Sequence, residues 1–349
     1  MVAHETIREP WAGGVVDTHA HVFPRDLADP SAGADARWPV LRPHPQDGAS
    51  GSIHRGEELF REVRSELWDV PDRVASLDTF GIERQLVSPV PVMLTTWADP
   101  GPAAAFARAV NDGTAEMVGQ SEGRLVGLAA APLQDVGAAI DELERSVTQL
   151  GLAGVEIGTR VEGRELDDPA LAPFFDAAGE LGAAVFVHPM DGGSGSVRRS
   201  GQPYDFGLGM LTDTALAATA VLTGGVLDRN PDLRIGFAHG CGTLAWAAPR
   251  LALGLSIWGE PGRSAAFDDL LRHLWVDTLV LDPAHLPLLV HRFGPDHVMI
   301  GTDAPFIPGQ LTGLDDLLRG GLEHGLTEQQ IMDIARTNGR AFTTREDRR

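Results

Sequence analysis

Along this chain, short runs of apolar, mostly β-branched residues alternate with longer stretches whose apolar positions recur every three or four residues. The short runs predict strands at residues 15–21, 84–89, 125–132, 154–158, 184–188, 234–239, 274–278 and 298–303. Between them, residues 138–151 (AAIDELERSVTQLG) and 169–182 (PALAPFFDAAGELG) have helical spacing and end on glycine, a residue suited to leaving a helix. Alternation of this kind predicts βα units around a parallel sheet, and eight strands predict closure into a (β/α)8 barrel. A doubly wound sheet would place a glycine-rich phosphate turn after the first strand, where this chain reads HAHVFP.

Residues 22–70 break the rhythm, being rich in Pro, Gly, Arg and His with no clear period until EELFREVRSELW. The expectation is one α/β domain over residues 1–349, with 22–70 a small insertion after the first strand. Loops that follow barrel strands lie on the face where active sites form, so the insertion is expected to cap the pocket.

Composition narrows the chemistry. With 43% hydrophobic and 22% charged residues, the proportions are those of a soluble globular protein. No apolar run reads as long enough to span a bilayer, and the N-terminus lacks the apolar core of a secretory signal, so no membrane partner and a cytoplasmic location are expected. A formal charge of -21 argues against nucleic-acid binding, which needs a basic surface. The 28 basic residues are all arginine, which removes Schiff-base chemistry, a P-loop lysine and a carbamylated-lysine metal bridge. The single cysteine, Cys241, excludes an intrachain disulfide and reads as a small buried filler.

What chemistry remains gathers at strand ends. His19 and His21, two apart on a strand, point the same way. Asp17 shares their parity but sits deeper, in a supporting position. AVFVH, RIGFAH and VMIGTD each finish an apolar strand on His188, His239 or Asp303, placing all three at the C-terminal rim of a barrel. Imidazoles with a carboxylate are ligands that Zn²⁺ accepts at catalytic sites, with one position left open. We assign His19, His21, His188 and Asp303 to one divalent cation per subunit, Zn²⁺ first, with Mn²⁺ or Fe²⁺ as alternatives, and His239 to acid/base chemistry beside it.

In this order, VVDTHAHVFP, FREVRSELWD, SPVPVMLTTWADP, GVEIGT, FVHP, FAHGCG and GTDAPF resemble the amidohydrolase-related superfamily and, within it, the aminocarboxymuconate semialdehyde decarboxylase group, across almost the whole chain. The resemblance implies a mononuclear zinc site on the four residues above, with His239 and Asp303 catalytic and His239 the acid/base for a metal-activated water. It further implies that Arg61 binds a substrate carboxylate and that Arg250 completes the pocket of a neighbouring subunit, hence a homodimer. A guanidinium pair suits a carboxylate ligand. On the residues alone, Arg61 would be a solvated helix charge and Arg250 a helix-end charge.

Arg55 stands where the group has lysine, Met190 where it has tryptophan, and Ala304 where it has an aromatic residue, while Phe306 matches and is expected against substrate. Arg160 and Glu162 also depart from the group's histidine and asparagine. The implied activity is nonoxidative decarboxylation of a small unsaturated or aromatic carboxylic acid, 2-amino-3-carboxymuconate-6-semialdehyde or a close relative. The alternative is a mononuclear metal-dependent hydrolase of a lactone or cyclic amide.

Overall fold

The computed structural model describes residues 9–344 apart from 26, 28–36, 47, 194, 260–262 and 308. In chain order its strands are β1 (Val15–Val22), β2 (Pro39–Pro43), β3 (Ser50–Arg55), β4 (Glu58–Arg64), β5 (Ile82–Pro89), β6 (Leu125–Ala130), β7 (Gly154–Gly158), β8 (Arg160–Val161), β9 (Arg164–Glu165), β10 (Ala184–His188), β11 (Arg234–Phe237), β12 (Leu274–Asp277) and β13 (Val298–Met299). Eight of them form one sheet in the order β1-β5-β6-β7-β10-β11-β12-β13, every neighbouring pair parallel. Bridges from Asp17 to Ile300 and from Ala20 to Ala304 return the last strand to the first. This is the (β/α)8 barrel expected from the alternation.

Two apolar layers follow from strand parity. Val87, Ala129, Val185 and Val187 face outward into a core shared with the surrounding helices, among them Val136–Thr148 and Ala172–Leu181. Residues of the other parity, Leu86, Leu128, Phe186 and Met299, form a separate cluster with Trp275 and Phe342 inside the barrel. β1, β7 and β10 are buried over their whole length, as strands covered on both faces must be.

Two expectations need correcting. EELFREVRSELW is not an α-helix: its first part is β4, which pairs antiparallel with β3, and β3 with β2, in a three-stranded sheet, and only Ser65–Leu67 forms a single 3-10 turn. The cause is its one-sided pattern, since Val63 alone of β4 is buried while the other six residues are exposed, which suits a sheet lying on a surface. Ile53, Val63 and Trp38 meet Trp68, Met93 and Phe106 in a third core beside the barrel. The expectation that no segment is long and apolar enough to cross a bilayer also fails, because Asp205–Thr223 runs 19 residues at a mean hydropathy of 1.3. It is a packing helix of the barrel: half of its apolar stretch is buried, with Ala217, Ala218, Val221 and Leu222 in the outer core.

Candidate active site

β1 carries His19 and His21 where its register with β5 slips between Asp17 and Ala20. His188 closes β10, and Asp303 follows the last strand in a left-handed turn, with φ of 54°. All four side chains are buried, and one potential ligand atom from each lies within 4.8 Å of the others. Asp303 Oδ1 is 3.1 Å from His21 Nε2 and 3.7 Å from His19 Nε2. Beneath them the Phe186 ring packs 5.1 Å from that of His19, making an apolar floor.

The second nitrogen of each ring determines what the first can do. His19 Nδ1 lies 2.6 Å from Asp277 Oδ2, His21 Nδ1 lies 3.1 Å from Ser88 Oγ, and His188 Nδ1 lies 2.8 Å from the Pro189 carbonyl. A ring that donates through Nδ1 keeps a lone pair on Nε2. The Nε2 atoms of all three are buried without a hydrogen-bond partner. Orphaned nitrogens of this kind are costly unless a cation takes them up, and three imidazole nitrogens beside a carboxylate fit a first-row divalent ion. The cluster is a candidate site for a divalent metal.

Burial and mutual charge shift His19, His188, His239 and Asp303 in different directions. Burial raises the cost of charge on every member, yet contact with His21 and the charge of His19 hold the Asp303 carboxyl well below its usual range. Burial lowers the basicity of His19, but the Asp277 hydrogen bond and the Asp303 charge outweigh it and push the group up to about 9. Burial and the neighbouring imidazoles lower His188. His239 falls to about 4, through burial and the charge of His19.

His239 stands beside the cluster, its ring centroid 5.1 Å from that of His188 and 5.4 Å from that of His19. Its backbone is left-handed, φ 58°, a conformation uncommon outside glycine. Beside these groups opens a cavity of about 200 Å³ lined by His21, His188, His239 and Asp303 from the barrel and by Arg55, Phe60 and Arg61 from the three-stranded sheet. Met190 and Phe306 complete its walls. The Arg61 guanidinium lies 5.3 Å from the centre of the Phe306 ring, and Arg55 pairs with Asp191 at 3.6 Å.

Of the residues singled out in the sequence, the structure therefore brings together His19, His21, His188, Asp303, His239, Arg55, Arg61, Met190 and Phe306. Arg250 is apart from them, on the exposed side of the helix Leu244–Trp258, and does not line the cavity of its own chain. Cys241 is fully buried. Asp17 lies below the cluster, accepting from Gln85 at 2.7 Å and from the Thr302 hydroxyl at 2.6 Å. Sequence reading passed over Asp277, Ser88 and Glu156. Ser88 Oγ donates to Glu156 Oε2 at 2.5 Å, and burial raises the Glu156 carboxyl to about 7. A carboxylate inside an apolar strand, as in GVEIG or LWVD, was the available signal.

The amidohydrolase family profile matches residues 16–342, and the chain belongs to that family. Among curated relatives, 2-amino-3-carboxymuconate-6-semialdehyde decarboxylase of Dictyostelium discoideum is 34% identical over 307 residues, covering 85% of this chain and 84% of the relative. Among solved structures, the apo form of Metarhizium anisopliae IDCase superposes with a TM-score of 0.79 at 23% identity, over 95% of this chain and 97% of the other. A dihydroxybenzoic acid decarboxylase from Polaromonas, solved with bound manganese and an inhibitor, gives 0.71 at 22% identity, over 95% and 96%.

Proposed function

We propose that this protein is a metal-dependent, nonoxidative carboxy-lyase acting on an unsaturated or aromatic carboxylic acid, with 2-amino-3-carboxymuconate-6-semialdehyde the first candidate. One observation supports the reading: three members of a buried three-histidine, one-aspartate cluster line a single cavity together with His239, Arg55 and Arg61. The relatives named decarboxylases support the same reaction class.

His19, His21, His188 and Asp303 would hold the cation, for which we favour zinc, with manganese or iron as alternatives. When bound, it supplies Lewis acidity to the reacting end of the substrate. Arg61 binds the substrate carboxylate through its planar fork, aided by Arg55, and the Phe306 face and Met190 confine the carbon skeleton. His239 takes up a proton from solvent and, its basicity lowered by burial, readily gives it to the carbon that bears the departing carboxylate. That carbon's bond to the carboxylate breaks, the electron pair returns to the conjugated system, and carbon dioxide leaves. One proton is taken up for each carbon dioxide released, so no oxidant is needed. A cytoplasmic setting fits the lone, buried cysteine.

The enzyme is read here as a homodimer. Trp246, Arg250, Leu253 and Ile257 follow one face of Leu244–Trp258, and the three apolar members are 85%, 59% and 57% exposed. A second copy would cover that strip and bring Arg250 to its neighbour's pocket. Trp246→Glu is expected to give monomers in sedimentation, and an unchanged dimer would remove this interface.

The deciding experiment adds purified, metal-quantified protein to freshly generated aminocarboxymuconate semialdehyde and follows its chromophore together with carbon dioxide. Stoichiometric release, abolished in His239→Ala, is the expected result. No turnover by protein carrying one metal per chain, on this substrate or on aromatic carboxylates, would overturn the decarboxylase reading and favour lactone hydrolysis.

A further inference from the structure

Asp277 ends β12 beneath the rim, and its side chain is fully buried. Its two oxygens accept four hydrogen bonds. Oδ2 takes His19 Nδ1 at 2.6 Å and the His239 backbone N–H at 2.9 Å, while Oδ1 takes the Gly240 N–H at 2.8 Å and the Leu279 N–H at 3.0 Å. One carboxylate thus touches a ligand of the metal cluster and the turn that aims the acid/base histidine. That turn is unusual, since His239 and Cys241 both have left-handed backbone, φ 58° and 62°. Such conformations are strained and persist where surrounding contacts over-determine them. Gly301 permits the close approach: a β-carbon there would fall 2.6 Å from Asp277 Cβ and 2.9 Å from His19 Cβ.

We propose that Asp277 is a positioning residue that sets the distance and orientation of His239 relative to the cation, by fixing the His19 tautomer and the His239 turn with the same carboxylate. The inference rests on the metal-centre reading above and does not depend on which acid is decarboxylated. Neither His19 nor His239 would be placed correctly without it, although Asp277 itself does not line the cavity.

The isosteric variant Asp277→Asn separates this from a packing role. An amide has one oxygen and one NH₂ group, so two of the four donors must meet another donor. The Gly240 and Leu279 N–H groups cannot change, whereas His19 can move its proton from Nδ1 to Nε2. The amide oxygen is therefore expected at the Oδ1 position and the NH₂ group toward His19. His19 then presents an N–H to the cation site, and the His239 N–H loses its partner.

Three readouts follow. Zinc affinity, by chelator competition, is expected to fall 10- to 100-fold, as for other groups that orient a ligating histidine. Backbone amide exchange at His239 should accelerate at least tenfold. With zinc saturating, kcat in the decarboxylation assay should stay at least tenfold low while KM is little changed. Zinc affinity within twofold of the parent, or full kcat regained at saturating zinc, would overturn the proposal. Should the variant not fold, ¹⁵N-histidine spectra of the zinc-loaded parent still decide: His19 protonated at Nδ1 supports the proposal, and protonation at Nε2 overturns it. The zinc and spectral readouts need no substrate, so they distinguish failure here from failure of the decarboxylase reading.

Discussion

Replacing Arg73 by methionine tests how the metal site is supported from below. Arg73 projects from the helix Val70–Thr79 and is 2% exposed. Its Nε donates to the Glu66 carbonyl at 2.6 Å, Nη1 to Gln85 Oε1 at 2.7 Å, and Nη2 to the His21 carbonyl. One guanidinium thereby joins the end of the three-stranded sheet to β1 and β5. It also faces the charge of Asp17, although burial lowers its own basicity to about 10. Methionine fills much of the stem's volume, so little cavity term arises. The loss falls on the polar partners, and removing one side of such a buried network costs about 3–5 kcal/mol. With a urea slope of roughly 3 kcal/mol/M, the unfolding midpoint should drop by about 1–1.7 M. Tryptophan fluorescence would follow the transition. Arg319→Met serves as control, since the ion pairs of Arg319 with Glu9 and Asp316 are at the surface and should leave the midpoint unmoved. A midpoint for Arg73→Met within about 0.3 M of the parent would refute the assigned role.

Removing Arg61 should lower kcat/KM by roughly 10- to 100-fold with metal content unchanged, the loss of a charge-assisted carboxylate contact; Arg61→Lys should recover part of it, and parent-like kinetics for Arg61→Ala would exclude the contact. His188→Ala should reduce bound metal from one per chain to near none by elemental analysis, and full occupancy would show that the remaining donors suffice. Chelation of protein held at about a thousand times the metal's dissociation constant should remove about 4 kcal/mol of stability, a fall of roughly 5–10 °C in Tm, and an unmoved Tm would mean that the site binds no stabilising ion.

Much of the barrel was legible because strands covered on both faces are continuous apolar runs, as in AVFVH and RIGFAH. The last strand was read to residue 303, yet its ladder stops at Met299, because the chain turns off through Gly301 and left-handed Asp303 and keeps only isolated bridges to β1. The three-stranded sheet was not legible. Its strands mix Arg and Glu with few inward residues, and antiparallel pairing between neighbours leaves little periodic trace in a single sequence. The cluster ligands could be found because His188 and Asp303 terminate apolar runs and His19 and His21 stand two apart on a strand. Asp277 obeys the same rule in LWVD, but a carboxylate that serves an imidazole from behind has no spacing to a metal motif.

The cavity has two builders. Barrel strand ends supply His188 and Asp303, whereas Arg55, Phe60 and Arg61 arrive on β3 and β4, where Arg61 stands directly across the ladder from Ile53, so one face of that sheet carries both a pocket arginine and the apolar contact with the third core. Arg55, Phe60 and Arg61 lie outside the barrel strands, so each can change without altering a barrel register. For an engineer this is a separable charge surface: exchanging Arg55, Phe60 and Arg61 while keeping Ile53 and Val63 would alter the charge presented to the cavity and leave the barrel residues in place.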